Sequence, residues 1–428
     1  MSFRSRQALT VALMVVGYAG YYLCRSDFSV AMPMLIHELG LQGIAADAAK
    51  VRLGGIASLG VLAYAVGKPP AGWIADFLGG RRNFLFGMAG AILFTLLFGL
   101  SGGIPFFTLA WVGNRFVQSL GWAGMVKITS KWFSWSAYGG VMGVISLSYL
   151  FGDAIAREFL ALLIGMGVGW RGLFYAAAGT LGALFIVNLL LLRESPTQLG
   201  FEAPPANPAN LFGHEGGKPA PASLRELLRT FANSRMFWLV CLLSFGITLL
   251  RETFNTWTPT YFVQGVGLSN ADAAHASALF PFFGGISVLL AGFLGDRLGS
   301  NGRALIILWG MLVTGALLLA LGLAPSMESR AIPVVLVTLV AFTMLGPYSY
   351  LAGALSLDFG GRQGSATASG LIDCVGYLGG VLAGNTVAGI SVAWGWKGAF
   401  TVLAGVAWAS SLAAAVYLRE QRQRETPS

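Results

Sequence analysis

Apolar stretches of about 20 residues recur along this chain, and each is as long as a helix must be to cross a bilayer. They start near residues 9, 51, 84, 105, 138 and 171, and again near 236, 272, 304, 331, 364 and 396. In hydrocarbon a backbone has to satisfy its own hydrogen bonds, so segments of this kind cross as helices. The pattern predicts an all-α membrane protein with twelve transmembrane helices in two six-helix bundles. Only 11% of the residues are charged, against about 25% in a soluble protein. The 59 glycines fit helices that approach closely in lipid through small side chains.

The two sets divide the chain into 1–193, a connection over 194–235, and 236–428. The connection carries Pro196, Pro204, Pro205, Pro208, Pro219 and Pro221 and reads as a polar linker with one short helix near Ser223–Thr230. Met1–Thr10 has arginines but no small-residue cleavage site after a short apolar core, so the first span is expected to stay in the mature protein. An even number of spans puts both termini on one side. Arg4, Arg6, Arg81, Arg82, Lys131, Arg193, Arg303 and Arg419 fall on that side, whereas the other has only Lys50, Arg52, Arg171, Arg330 and Lys397. By the positive-inside rule both termini are expected in the cytoplasm, with the chain in the cell inner (plasma) membrane. The net charge of +9 is spread over these short loops, which argues against a nucleic-acid partner.

Charges inside the spans point to function. Arg25 lies between an uncharged stretch, residues 7–24, and a further apolar run to Ile36. An arginine near mid-membrane costs at least about 3 kcal/mol, which something must offset. The pattern around it, Arg25-Ser-Asp-Phe28-Ser-Val-Ala-Met-Pro33, returns as Arg251-Glu-Thr-Phe254-Asn-Thr-Trp257-Thr-Pro259. Two guanidiniums, one from each half, can fork onto the oxygens of one phosphate or carboxylate. Tyr18, Tyr22, Arg25 and Ser29 share a helix face, so phenols line the approach to Arg25. Lys68 is a further cation within a span, with Tyr64 one turn before it; the alternative for Lys68 is to snorkel to the membrane surface. Three cations from two halves suit a doubly charged anion. The other reading of the arginines is burial as ion pairs, with Asp27 or Glu252. Asp27 projects about 200° around the helix from Arg25 and is a poor local partner.

Other candidates read as structural. Asp153 and Arg157, spaced i, i+4, form an intramembrane pair. Cys24, Cys241 and Cys374 lack metal-ligand spacing and read as small buried packing residues. His37, His214 and His275 look isolated, solvated or interfacial. With no nucleophile–base pair, metal spacing or phosphate-cradling glycine loop, the chain does not read as an enzyme, and no cofactor or metal is expected.

Two loops carry a resemblance. Gly72-Trp-Ile-Ala-Asp76-Phe-Leu-Gly79-Gly-Arg81-Arg82 follows the second span, and Gly292-Phe-Leu-Gly-Asp296-Arg297-Leu-Gly299-Ser-Asn-Gly-Arg303 follows the eighth. Both resemble the loop motif of the major facilitator superfamily, though Phe77 stands where the motif prefers a cation. The resemblance implies the major facilitator fold, a central cavity and alternating access by rocking of the bundles. It also implies that Asp76, Arg81, Asp296 and Arg297 set conformational equilibria without touching substrate.

A narrower resemblance covers most of the chain. Tyr-Tyr-Leu-Cys-Arg25-Ser-Asp-Phe-Ser-Val-Ala-Met-Pro33 is similar to the first-helix signature of the organophosphate:phosphate antiporters. Gln118-Ser-Leu-Gly121-Trp122, Glu194-Ser-Pro196, Arg251 with Trp257-Thr-Pro259-Thr-Tyr261, and Gly376-Tyr377-Leu-Gly-Gly380 are similar at corresponding places. The resemblance implies that Arg25 and Arg251 bind the phosphate, that Lys68 is the second-helix lysine, and that Tyr22, Tyr64 and Tyr377 are substrate-side tyrosines. Lys127 falls at a helix-end or gating cation. Tyr149 stands where the glycerol-3-phosphate transporter has a histidine, which counts against that substrate. Asp373 puts a carboxylate in the eleventh span, where it can hydrogen-bond substrate hydroxyls or carry a proton.

These readings predict a carrier exchanging an organic phosphate ester for inorganic phosphate, with the bilayer around it and a monomer as the working unit. Two alternatives stand beside it. One is a proton-coupled symporter of organic carboxylates, and the other is a membrane sensor of a sugar phosphate.

Overall fold

The computed structural model describes residues 2–204, 229, 231–298, 301–323, 329–351 and 354–425. Eleven long α-helices are described among them. They are α1 (Phe3–Leu41), α2 (Ala46–Leu78), α3 (Gly80–Leu100), α4 (Ile104–Trp132), α5 (Trp135–Gly165), α6 (Trp170–Leu191), α7 (Arg235–Gln264), α8 (Asn270–Arg297), α9 (Gly302–Leu323), α10 (Ala331–Leu351) and α11 (Ala354–Glu425). Nine helical segments are long and apolar enough to cross a membrane, among the described residues. The helices that fall short, α4 and α5, carry buried polar groups, Asn114, Arg115 and Gln118 on one and Asp153 and Arg157 on the other.

At 72 residues, α11 is far too long for one crossing. Gly395 within it has φ 69°, a left-handed conformation that an α-helix cannot pass without breaking. A run broken there has length for two crossings. The short helix expected near Ser223–Thr230 lies largely outside the described residues.

Two compact units are present. One joins Met1–Asn207 with Trp257–Phe282, and the other joins Pro208–Thr256 with Phe283–Ser428. In the first unit α4 packs against α2 and α3, while α1 packs against α5 and α6. Its core gathers Met14, Tyr18, Tyr21, Phe84, Met88, Ile128 and Leu181. Tyr21 donates to the Phe84 carbonyl at 2.6 Å, a helix-to-helix bond inside the apolar core. A second aromatic block packs Phe28 on Trp111 and Phe98 on Phe174, each pair with centroids 4.4 Å apart.

At the other end of this unit, Glu194 binds the start of α3. Its carboxylate accepts from the amides of Gly80 (3.0 Å) and Arg81 (2.6 Å), and from Lys131 Nζ of α4 at 2.6 Å. An anion at a helix N-terminus satisfies amides that lack a partner in the helix and meets the positive end of its dipole. Arg81 returns the tie, donating to the carbonyls of Leu192 (2.7 Å) and Leu189 (2.6 Å) beside the end of α6. In the second unit α9 packs on α10 and α11. Ser287 bridges to α10, donating to the Phe342 carbonyl and accepting from the Gly346 amide, and Phe254 stacks on Phe400.

Candidate functional site

The helix that carries Arg25 bends just before it. Cys24 has φ −84° and ψ 17°, off the helical values. A bend frees a carbonyl that the membrane cannot hydrate. Gln118 of α4 takes it, donating Nε2 to the Cys24 oxygen at 2.8 Å. Gln118 is in turn held by Asn114 Oδ1 at 2.6 Å, and Asn114 donates to Thr95 Oγ1 at 2.8 Å. The bend is therefore fixed by a buried chain of amides and hydroxyls running through α4 to α3.

Beyond the bend, Arg25 Nη1 donates to the Tyr22 hydroxyl at 2.9 Å. Its guanidinium lies 5.0 Å from the Tyr22 ring centroid and 4.5 Å from that of Tyr64. Lys68 Nζ is 5.4 Å from the same Tyr64 ring. Lys68 therefore joins the cluster around Arg25. Tyr18 is buried against Tyr21, Tyr22 and Trp122. The shared face of Tyr18, Tyr22 and Arg25 read from the helical period is the one that meets Tyr64. Tyr149 packs at the edge of the first unit's core.

A residue that sequence reasoning missed stands here. Arg115 of α4 is buried, and its guanidinium is 4.9 Å from the Tyr64 centroid. The signal was available, because Arg115 is a charge inside an apolar stretch just as Arg25 is. Cations over an aromatic face are attracted to its quadrupole. Tyr64 thus draws Arg25, Lys68 and Arg115 to one ring from α1, α2 and α4.

Asp27 is fully buried and accepts from the Phe28 amide at 2.7 Å, with no ion pair to Arg25 among the described residues. The pair expected between Asp153 and Arg157 forms at 2.9 Å. It extends further than the sequence showed, since Ser26 of α1 donates to Asp153 and Arg157 donates to Ser277 of α8 at 3.2 Å.

In the second unit Arg251 is also buried. Its Nη1 sits 3.1 Å from Glu252 and donates to the Tyr348 hydroxyl at 3.1 Å, with the guanidinium 4.7 Å from the Tyr348 centroid. Each repeated arginine therefore lies against a tyrosine, and the second also has a carboxylate. Tyr348 was not singled out from sequence. Tyr377 is buried and Asp373 half-buried on α11. Trp257 belongs to the first unit, fully buried with Lys50 Nζ 5.9 Å from its ring.

Of the residues expected to gate, Arg81 caps α6 as described, Lys127 is half-buried on α4, and Arg297 is exposed with its guanidinium 4.1 Å from Phe293. Asp76 and Asp296 fall within α2 and α8, their side chains outside what is described, and His214 lies outside the described residues. Two expectations are corrected. His275 is not isolated, because Nδ1 lies 2.5 Å from Glu158 of α5, within an exposed pair. Cys374 is exposed, whereas Cys24 and Cys241 are buried as expected; an exposed thiol in an apolar span meets either lipid or a cavity.

The chain is 27% identical over 406 residues to the "Probable hexose phosphate transport protein" of Chlamydia pneumoniae, covering 91% of this chain and 86% of that one. It is 25% identical over 403 residues to the "Glycerol-3-phosphate transporter" of Bacillus subtilis, covering 91% and 87%. It is likewise 25% identical over 424 residues to the "Membrane sensor protein UhpC" of Escherichia coli, covering 96% and 92%. Among solved structures, a bacterial homologue of the human lysosomal transporter Spinster superposes with a TM-score of 0.74 at 16% identity, over 99% of both chains, which speaks to the fold. The sequence profile described as the Major Facilitator Superfamily matches residues 14–384. Long apolar helices, the loop motif in both halves and this match have one conclusion: the chain belongs to the major facilitator superfamily, a family of multi-pass membrane transporters and not of enzymes.

Proposed function

We propose that the protein is a secondary carrier that exchanges an organic phosphate ester for inorganic phosphate, with Arg25 and Arg251 both binding the phosphoryl group. The observation that supports this most is the setting of Arg25. A guanidinium in a membrane helix is fixed by Tyr22 and Tyr64, with Lys68 on the same ring. Such a group recognises a phosphate by charge and by paired N–H donors. The relatives named for hexose phosphate and glycerol 3-phosphate point to the same substrate class.

Exchange follows from electrostatics. The two six-helix bundles, divided near residues 194–235, rock together over a bound anion, because an empty site leaves like charges repelling. Asp76, Arg81, Asp296, Arg297 and Lys127 act in that motion. Tyr18, Tyr149, Trp257, Tyr377 and Asp373 are further substrate-side groups. In proteoliposomes loaded with inorganic phosphate, Arg25→Lys and Arg251→Lys should each cut phosphate counterflow at least about tenfold, since a lysine cannot fork. Normal counterflow in either variant would end this reading.

A second reading is a sensor, motivated by the relative named as a membrane sensor protein. It requires that phosphate esters bind without any counterflow, so the same vesicles decide between the two.

A further inference from the structure

The residues that follow the two repeated arginines are tied differently. Ser26, after Arg25, joins α1 to α5 through Asp153. Glu252, after Arg251, is buried and bonds only within its own helix among the described residues. It pairs with Arg251 Nη1 at 3.1 Å and accepts more loosely from Asn255 Nδ2 at 3.5 Å. The Asp153–Arg157 pair, by contrast, reaches Ser26 of α1 and Ser277 of α8. Burying a carboxylate in a span is costly, and this one braces no second helix. Adjacent side chains on a helix project about 100° apart, so two long stems lean together to make the contact. A rotamer change on either parts them without moving the backbone. Asn255 and Tyr348, the polar neighbours of the pair, are only half-buried, and polar groups inside a span face the bundle interior or a water-filled cavity.

We infer that Glu252 is a tethered stand-in for the substrate's anion, which occupies Arg251 while the site is empty and yields it when a phosphoryl group arrives. This rests on the reading above that Arg251 binds that group. A carboxylate fixed beside the phosphate subtracts from the pull of the arginine. Glu252 therefore weakens the grip of the second half, as suits a carrier that must release its cargo in every half-cycle. Tyr348, bonded to the same Nη1, keeps the guanidinium in place during the hand-over.

The test titrates inorganic phosphate onto the purified full-length chain and reads dissociation constants from ligand-dependent thermal shifts. Glu252→Gln keeps the shape and removes the charge. It should bind phosphate at least about tenfold more tightly than the wild type. A carboxylate that merely orients Arg251 predicts the opposite sign, weaker binding when it is removed. Binding by Glu252→Gln that is weaker than wild type, or within about twofold of it, overturns the inference. Should that variant not fold, Glu252→Asp is titrated in its place, since it draws the charge back by one methylene. It should tighten binding about threefold, and no tightening overturns the inference equally. Arg251→Gln separates the two ideas. If it binds phosphate like the wild type, the phosphate reading fails and this inference with it; if it binds weakly while Glu252→Gln matches the wild type, only the role of Glu252 fails.

Discussion

A guanidinium at the centre of a membrane helix costs about 3 kcal/mol on insertion scales, and this chain holds several. Each is met by chemistry from its own or a neighbouring helix: the rings of Tyr22 and Tyr64 for Arg25, Glu252 and Tyr348 for Arg251, and Asp153 for Arg157. The last pair is the most enclosed, with side chains 2% and 8% exposed. Removing one partner strands the other in a low-dielectric interior, at a cost of about 3 to 5 kcal/mol. Arg157→Leu is therefore expected to lower the melting temperature of the purified protein steeply. Adding Asp153→Asn should recover most of the loss, because the amide is neutral and still accepts from Ser26. A double variant no more stable than the single would show that Asp153 is not the stranded group. Individual charges were partly legible in the sequence. Arg25, Arg251 and the Asp153–Arg157 spacing stand out against apolar runs, whereas the partners Tyr348 and Ser277 do not, because which side chain faces a charge depends on helix rotation, which spacing along one helix does not reveal.

Helices as units were the most legible feature, since a run of about 20 apolar residues admits few other structures. Their joints were less so. Glu194 looks in sequence like an ordinary polar residue after a span, part of a motif with no evident task. In the structure it caps α3 and pairs with Lys131 of α4. Glu194→Gln keeps the shape but removes the charge that answers both the helix dipole and the lysine. It should cost about 1 kcal/mol, seen as a melting temperature a few degrees lower, with the loss shrinking as salt is raised. A shift that ignored salt would argue that the carboxylate acts through its hydrogen bonds alone. The bend at Cys24 was equally hidden. Its residue is an ordinary helix former, and the reason for the bend sits in Gln118, 94 positions along the chain.

For the whole molecule, the all-helical membrane fold and the superfamily were readable because loops, arginine signatures and hydropathy all repeat between the two halves of the sequence. Sidedness is an expectation of the loop charges: an epitope placed at either terminus should resist protease in right-side-out vesicles and be cut in inverted ones. Cleavage of one terminus in each preparation would mean an odd number of crossings. The gathering of Arg25, Lys68 and Arg115 at Tyr64 was less legible, because it depends on which helices pack together. The Glu194 clasp also bears on how the molecule moves. The chain leaving α6 is fastened to α3 and α4 before it sets out toward α7, so a pull along that connection is shared by three helices at once, and torque turns them as a block where a lone helix would tilt.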